Sequence, residues 1–235
     1  MKMHAYVAGV GMTRFGNHLE TKLKDLAAES IRAALADAGI GPGEIQAAYM
    51  GNASAGVIQG QEMIRGQVVL NSMGINKIPV VNVENACATS SSAFNQAAAM
   101  VTFGAYDVVL VCGYEKLFHV VKLRSLLAFD GAVDTDSPEG LNGALKRLAA
   151  AAGEAVEAQT ENKTRSVFVD IYAYMTKAHM KNYGTTREQI AAVTVKNSRH
   201  GALNPRAQFQ KAMTLDEVLT AREILWPLTL PMCSP

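Results

Sequence analysis

Hydrophobic and polar positions follow two periods along the first half of the chain. Between residues 23 and 38, apolar side chains recur every three or four positions, and Gly39 stands where such a helix would end. The same spacing predicts helices over residues 62–73 and 90–103. Short aliphatic and β-branched runs lie between these helices and are typical of strands. The runs cover residues 5–10, 45–50, 80–83 and 107–112.

The order of these elements is β-α-β-α-β-α-β with short connections. This order predicts an α/β fold in which helices form layers on a mostly parallel sheet. The run over residues 80–83 is rich in valine, which predicts a strand buried on both faces. The small residues of positions 51–60 predict a loop. We expect residues 1–115 to form the α/β core.

The pattern changes after Glu115, because residues 116–163 show no clear strand. We predict a mainly helical excursion from the sheet over residues 116–214. Its helices are expected near residues 141–158, 169–183 and 188–198, the last one capped by the segment 185–188 and broken at Asn204-Pro205. Residues 215–235 are expected to return toward the core through a short helix over 215–225 and the approach to another strand.

Charge and composition exclude several classes of function. The chain has 22 basic and 21 acidic residues and a formal net charge of +1, so no global field attracts nucleic acid or an anionic membrane. The apolar runs are too short to cross a bilayer, and the first 16 residues lack the apolar centre of a secretory signal. We therefore expect a protein of the cytoplasm with no nucleic-acid or membrane partner.

Three cysteines, Cys87, Cys112 and Cys233, are too few for a disulfide framework and too widely spaced for a zinc site. They indicate a reducing compartment, and we expect no metal. Cys112 lies within a predicted strand and is expected in the core. We expect the same of Cys233.

Cys87 lies where a predicted strand runs through small residues into a helix. Free backbone N–H groups and the helix dipole favour a thiolate at such an entrance, and the same N–H groups can stabilise an oxyanion. Ala86 and Ala88 leave room for a thioester beside the sulfur. The alternative is that Cys87 is a small buried residue, as most free cysteines are. Position alone supports the two interpretations about equally.

The string VENACATSSSA, followed by GAYDVVLVCGYEK, closely resembles the nucleophile region of thiolases. It is most similar to the branch that contains the thiolase domain of sterol carrier protein x and bacterial acetyl-CoA acetyltransferases. Three more segments resemble that branch in the same order along the chain. They are AYVAGVGMTRFG, HMKNYGTTREQIAAVTVKNSRHGALNPRAQF and WPLTLPMCSP. The resemblance covers nearly the whole chain and is weakest over residues 116–166.

The resemblance implies a thiolase-like layered fold and acyl transfer on a thiol. Cys87 would accept an acyl group from a 3-ketoacyl-CoA and pass it to CoA, and the reverse reaction would be a Claisen condensation. Coenzyme A would be a co-substrate, with no cofactor bound permanently. Ile171, Tyr172 and Met175 would lie on a helix that faces the acyl pocket, although helix packing is the simplest interpretation of Tyr172, Tyr174 and Met175.

Thiolases consist of two similar α/β halves, and the second half normally supplies an activating histidine, a second cysteine and glycine-rich oxyanion loops. None of these motifs stands in this sequence, so we expect turnover to need a second half. We do not predict a base among the five histidines, which are His4, His18, His119, His179 and His200.

The resemblance also implies partners and leaves an alternative function open. A homodimer would form edge to edge through the sheets that carry the nucleophile, and a small zinc-ribbon and OB-fold subunit could bind acyl-CoA. The alternative is a non-catalytic or scaffold subunit that works with such a partner. An NAD-dependent enzyme is disfavoured, because Gly9, Gly11 and Gly16 do not have GxGxxG spacing.

Overall fold

The computed structural model describes residues 2–156 and 165–233, without the side chain of Pro138. These residues belong to two compact units, Met1–Ala128 and Phe129–Pro235. The division at residues 115 and 214 that the sequence suggests stays a prediction. Each unit has its own hydrophobic clusters and is described by itself.

The first unit contains a parallel three-stranded sheet. Its strands are β1 (Ala47–Gly51), β2 (Val80–Val83) and β3 (Val109–Gly113), in the order β2-β1-β3. Gly51 at the end of β1 pairs in register with Val83 and with Gly113. The carboxyl ends of all three strands therefore meet at one edge of the sheet.

Helices cover both faces of this sheet. The helices are α1 (Leu23–Ala38), α2 (Ala55–Gln59), α3 (Arg65–Ser72) and α4 (Thr89–Thr102), and α5 (Lys122–Asp130) follows them. One cluster joins α1 and α3 to the sheet through Ile31, Leu70 and Met50. A separate cluster joins Ala93 and Ala97 of α4 to Tyr49 on the other face. The predicted α/β layered fold is confirmed.

Helix α1 shows why the apolar spacing gave the correct bounds. Leu23, Ala27, Ile31 and Leu35 recur every four residues and are all buried, so one stripe of the helix faces the sheet. Burying an aliphatic side chain of this size contributes about 1.5–3 kcal/mol. Gly39 then ends the helix in the left-handed conformation, with φ 69°.

The first predicted strand does not form among the described residues. The backbone around residues 4–10 bonds to side chains of helices instead, with His4 N–H donating to Thr102 Oγ1 at 2.9 Å and Val10 N–H to Asp37 Oδ2 at 2.9 Å. A Cβ on Gly11 would stand 2.0 Å from the carbonyl oxygen of Ser30. A Cβ on Gly9 would likewise stand 2.4 Å from the carbonyl oxygen of Ala34, so close packing against α1 explains these two glycines, whereas a Cβ on Gly16 would meet nothing within 4 Å.

Two further expectations about the first unit were wrong in detail. Strand β2 is not buried on both faces, because it lies at the edge of the sheet and Val81 and Asn82 are exposed. The predicted loop over residues 51–60 contains the short helix α2, which Gly60 ends with φ 79°. The sequence did not indicate this helix, because a segment of small residues has only weak hydrophobic periodicity.

The second unit is mainly helical. Its elements are α6 (Pro138–Ala152), α7 (Val167–Tyr183), α8 (Arg187–Leu203), α9 (Leu215–Thr220) and an antiparallel pair of β4 (Glu223–Leu225) and β5 (Leu228–Thr229). Leu145 and Ala149 of α6 pack on Tyr174 of α7. Ala191 and Val195 of α8 pack on Val218 of α9.

The sequence placed these helices with small errors. The helix expected over residues 141–158 begins and ends earlier, and residues 157–158 lie outside the described residues. The cap of α8 is Thr186, whose Oγ1 accepts from Gln189 N–H at 3.3 Å. The helix expected over residues 215–225 ends at Thr220, because Glu223–Leu225 instead pairs with β5.

Candidate active site

Cys87 lies on an exposed turn between β2 and α4. Strand β2 ends at Val83, a single turn of 3-10 helix covers Ala86–Ala88, and α4 begins at Thr89. The sequence placed Cys87 directly at the start of the α-helix, whereas the structure inserts this extra turn. The thiol is exposed, so Cys87 is not a core residue of the structure. Its role as a nucleophile stays a prediction.

The backbone just before Cys87 is held in an unusual conformation. Ala86 has φ 44°, in the left-handed region that residues with a Cβ seldom occupy. Side chains bind both of its peptide groups: Glu84 Oε1 accepts from Ala86 N–H at 2.6 Å, and Thr89 Oγ1 donates to the Ala86 carbonyl oxygen at 2.7 Å. Neighbouring residues of the chain therefore stabilise the turn that presents the thiol.

Thr89 is the centre of this network. It is 5% exposed, and its Oγ1 also accepts from Asn85 N–H at 2.8 Å. Asn85 Nδ2 in turn donates to Ser92 Oγ at 2.8 Å. Among the residues that the structure describes, the N–H of Cys87 has no acceptor. A free backbone donor thus lies beside an exposed thiol, as an oxyanion site requires.

Two glycines allow α4 to begin directly on the sheet edge. Gly51 and Gly113 are partners in the β1–β3 register. A Cβ on Gly113 would stand 1.9 Å from Ser90 Oγ, and a Cβ on Gly51 would stand 2.9 Å from Thr89 Cγ2. Only residues without a side chain permit this approach, so the two glycines position the turn over the carboxyl ends of the strands.

Glu115 stabilises the loop after β1 at the same edge. Its carboxylate accepts from Asn52 Nδ2 at 3.0 Å, from Ala53 N–H at 2.9 Å and from the hydroxyl of Ser54. Arg65 Nη1 donates to the carbonyl oxygen of Asn52 at 2.8 Å. Charge-assisted hydrogen bonds of this kind are stronger than neutral ones, so they hold the loop in a defined conformation at the edge of the site.

A small cavity of about 160 Å³ lies beside this loop. Its lining combines two carboxylates, one guanidinium and several neutral residues: Met50, Asn52, Glu62, Ile64, Arg65, Asn82, Val83 and Glu84. Sites that enclose a small-molecule ligand usually measure roughly 300–1,000 Å³. The cavity is therefore too small to enclose a CoA thioester.

The other cysteines are less suited to nucleophilic chemistry. Burial raises the pKa of the Cys112 thiol to about 11, so this cysteine is protonated at neutral pH. Burial also raises the pKa of Cys233, which packs beside Leu225 and Leu228. Cys112 is buried, as predicted, whereas Cys233 is only partly buried at the margin of its cluster.

Two of the three histidines of the first unit, His18 and His119, bind other groups through their rings. The ring of His18 bonds to the carbonyl oxygen of Arg14 at 2.8 Å, and Nδ1 of His119 accepts from Val121 N–H at 3.0 Å. In residues 2–128, no histidine ring forms a hydrogen bond to the Cys87 thiol. The first unit therefore offers no bonded base for this cysteine.

The three candidate pocket residues on α7 lie in two environments. Ile171 packs against the cluster that joins α6 and α7. Tyr172 and Met175 are exposed, at 59% and 48% of their full area. Contact with an acyl group stays a prediction for all three.

The described residues hold no group of three or more His, Cys, Asp and Glu side chains that could bind a metal ion. Within the same ranges, none of the helices combines the length and the apolar character that crossing a membrane requires.

A comparison with known families decides the family of this chain. The sequence model of the thiolase N-terminal domain matches residues 5–218. The chain belongs to the thiolase family. The match includes the turn around Cys87 and the network that supports it.

Relatives agree with this membership. An acetyl-CoA acetyltransferase of Methanothermobacter thermautotrophicus is 32% identical over 97% of this chain and 53% of its own length. Sterol carrier protein 2 of Gallus gallus is 33% identical over 100% of this chain and 40% of its own. The benzoylsuccinyl-CoA thiolase subunit BbsB of Thauera aromatica is 31% identical over 99% of this chain and 52% of its own.

A solved structure shares the fold. The Ltp2-ChsH2(DUF35) aldolase superposes with a TM-score of 0.68 at 25% identity, over 97% of this chain and 51% of the matched one. This thiolase-family chain thus spans about half the length of its relatives, or less. The resemblance to the sterol-carrier-protein branch that the sequence suggested is confirmed.

Sequence reasoning named Cys87 but missed the residues around it. Glu84, Thr89 and Gly113 were not identified, although their positions carry signals. The sequence shows a threonine two residues after the cysteine and a glycine at the end of the next strand. Their meaning appears only when the strand and the helix are placed side by side.

Proposed function

We propose that this chain is the N-terminal half of a thiolase-type acyltransferase in which Cys87 accepts the acyl group. One observation carries the proposal: at the carboxyl edge of a parallel sheet, an exposed thiol lies beside a backbone N–H that has no acceptor among the described residues. Family membership supplies the class of reaction, and the names of its relatives point to CoA thioesters as substrates.

The reaction begins when the Cys87 thiolate attacks the ketone carbon of a 3-ketoacyl-CoA. The carbonyl oxygen becomes an oxyanion, which the free N–H of Cys87 can stabilise. The bond between the ketone carbon and the adjacent α-carbon then breaks, the acyl group stays on sulfur as a thioester, and the α-carbon takes a proton as acetyl-CoA, or a related acyl-CoA that contains the α-carbon, leaves. The thiol of a second CoA attacks the acyl-enzyme thioester and releases Cys87.

The described part of the first unit offers no bonded base for Cys87, so the proposal includes a second half. That half would supply the groups that remove the thiol proton and return a proton to the leaving α-carbon. Such a division fits a chain that spans 53% of the acetyltransferase it matches.

We also propose two protein partners. Strand β2 is an edge strand with exposed Val81, which suits pairing with a second copy of the chain. A second subunit is favoured by a relative that is a thiolase subunit and by a structural neighbour that is an aldolase of Ltp2 and ChsH2(DUF35). We propose that this second subunit binds acyl-CoA.

Mass spectrometry tests the nucleophile. The full-length protein is incubated with acetyl-CoA, and the acetyl adduct is located by peptide mapping. We expect it on Cys87, lost in Cys87→Ser and kept in Cys112→Ser. No adduct on folded protein, with its partner subunit still bound, would instead support the non-catalytic scaffold and overturn the proposal.

Sedimentation tests the dimer. Val81→Lys places a charge on the outer edge of β2 and should shift the protein toward the monomer. Val57→Lys is the matched control, because Val57 is similarly exposed but lies on α2. An equal shift in both variants would refute pairing through β2.

A further inference from the structure

We infer that Thr89 and Glu84 are positioning residues, which keep Ala86 left-handed and thereby fix the direction of the Cys87 thiol and N–H. The inference rests on the proposed function of Cys87. Neither residue touches the sulfur through a hydrogen bond, so both act through the backbone.

The conformation of Ala86 needs such support. A residue with a Cβ loses about 1–2 kcal/mol in the left-handed region, so an unsupported turn relaxes to another backbone angle. Rotation at Ala86 would turn the following peptide plane, which carries the N–H of Cys87. It would also redirect the bond from Cα to Cβ of Cys87, and with it the thiol.

The two supports are not equal. Thr89 is buried, and its hydroxyl both accepts from Asn85 N–H and donates to the Ala86 carbonyl oxygen. Water cannot easily replace a buried hydroxyl that makes two bonds. Glu84 is exposed, so water can take over its single bond to Ala86 N–H. We therefore expect a larger effect from Thr89 than from Glu84.

Misplacing a reacting atom by about 1 Å can lower a rate by about 100-fold. For Thr89→Val, which keeps the branched shape without the hydroxyl, we expect acylation to slow about 50-fold. The acetyl-CoA concentration that gives half of the maximal acylation rate should change by less than about twofold, because Thr89 is buried. Thr89→Ser keeps the hydroxyl and should remain within about threefold of the wild type.

Glu84 has its own matched pair of variants. Glu84→Ala should slow acylation about fivefold, as the loss of one solvent-exposed hydrogen bond predicts. Glu84→Gln keeps a carbonyl oxygen that can accept from Ala86 N–H and should retain most of the rate. Equal losses in both variants would show that the charge of Glu84 matters, and would overturn its positioning role.

A backbone rescue separates positioning from mere stability. Glycine adopts the left-handed conformation without the penalty of a Cβ, so Ala86→Gly combined with Thr89→Val should recover at least about fivefold of the lost rate. Ala86→Gly also relieves backbone strain and stabilises the fold, so each rate is divided by the folded fraction that circular dichroism measures. Recovery of the rate per folded molecule then reports positioning and not stability. The double variant and Glu84→Ala also keep the inference testable if Thr89→Val alone does not fold.

The experiment measures single-turnover acylation of the full-length protein by acetyl-CoA, with the adduct mapped to Cys87 in every variant. Wild-type rates in Thr89→Val with Cys87 labelled would overturn the inference and leave the proposed function intact. An adduct that persists in Cys87→Ser would overturn the proposed function itself.

Discussion

The turn around Cys87 and helix α7 both carry residues predicted for the site, but different forces hold them. Short hydrogen bonds within residues 84–92 hold the turn and leave its thiol exposed. Helix α7 is held by the packing of Tyr174 on α6 and by an ion pair between Arg165 and Asp170. Local bonds thus specify an exposed conformation atom by atom, whereas packing specifies only the buried face of a helix.

The largest expected change in stability follows from removing the ion pair that holds α7. Asp170 Oδ1 lies 2.6 Å from Arg165 Nε, and the two side chains are 7% and 13% exposed. Asp170→Ala removes one member of a buried pair and should lower the free energy of unfolding by about 3–5 kcal/mol. Urea denaturation measures the loss, and hydrogen exchange over residues 167–183 locates it.

A more exposed ion pair of the same unit provides the control. Glu154 accepts from Lys177 at 2.5 Å, but its side chain is 43% exposed. Glu154→Ala should cost no more than about 1 kcal/mol. Equal losses in the two variants would show that burial of the Asp170 pair does not matter to α7.

The next largest change follows from disrupting the close packing of α4 against the edge of the sheet. Gly113→Ala places a Cβ 1.9 Å from Ser90 Oγ and 2.8 Å from Ser90 Cβ, so the first turn of α4 must move. Overpacking of this kind should cost about 2–3 kcal/mol and speed hydrogen exchange at the start of α4. In Gly43→Ala the new methyl meets nothing within 4 Å, so this control should change stability by less than about 0.5 kcal/mol.

Features whose cause is local were readable from the sequence. Helix α1 has the predicted bounds because Leu23, Ile31 and Leu35 share one stripe and Gly39 ends it. Cys87 was singled out because small residues join a strand to a helix there. In both regions the information lies within a few residues of the feature it determines.

Features that depend on distant partners were not readable. The run over residues 5–10 has the composition of a strand, but pairing is a property of neighbours and not of composition. The exposure of Val81 depends on the order of strands in the sheet. The loop that contains α2 is held by Glu115, about 60 residues away along the chain, and nothing near residue 54 indicates that carboxylate.

A third prediction sharpens the contrast between exposed and buried thiols in the first unit. Burial raises the pKa of Cys112 from the ordinary 9.0 to about 11 in the folded protein. Below pH 9 the Cys112 thiol is mostly protonated in both the folded and the unfolded protein, so it does not lower the free energy of unfolding. Between about pH 9 and pH 11 the unfolded chain ionises first, so stability falls as pH rises, by about 2 kcal/mol at pH 10.5.

The measurement compares urea unfolding at pH 8 and pH 10.5 in the wild type and in Cys112→Ala. The pH-dependent loss should be smaller in the variant, and the difference should approach the loss assigned to the thiol. Tyr114 also has a raised pKa through burial and contributes to the loss in both proteins. An identical loss in both would contradict the assignment to Cys112.

The smallest expected effect tests whether α7 carries function on its exposed face. Tyr172 is 59% exposed, so Tyr172→Ala should change the free energy of unfolding by less than about 0.5 kcal/mol. Ile171 packs on the cluster between α6 and α7, so even Ile171→Val should cost about 1 kcal/mol. If Tyr172 contacts the acyl group, its variant should raise KM for long acyl-CoA substrates while stability stays unchanged. A loss of stability without a change in KM would instead make Tyr172 a packing residue, as the simplest interpretation of the sequence has it.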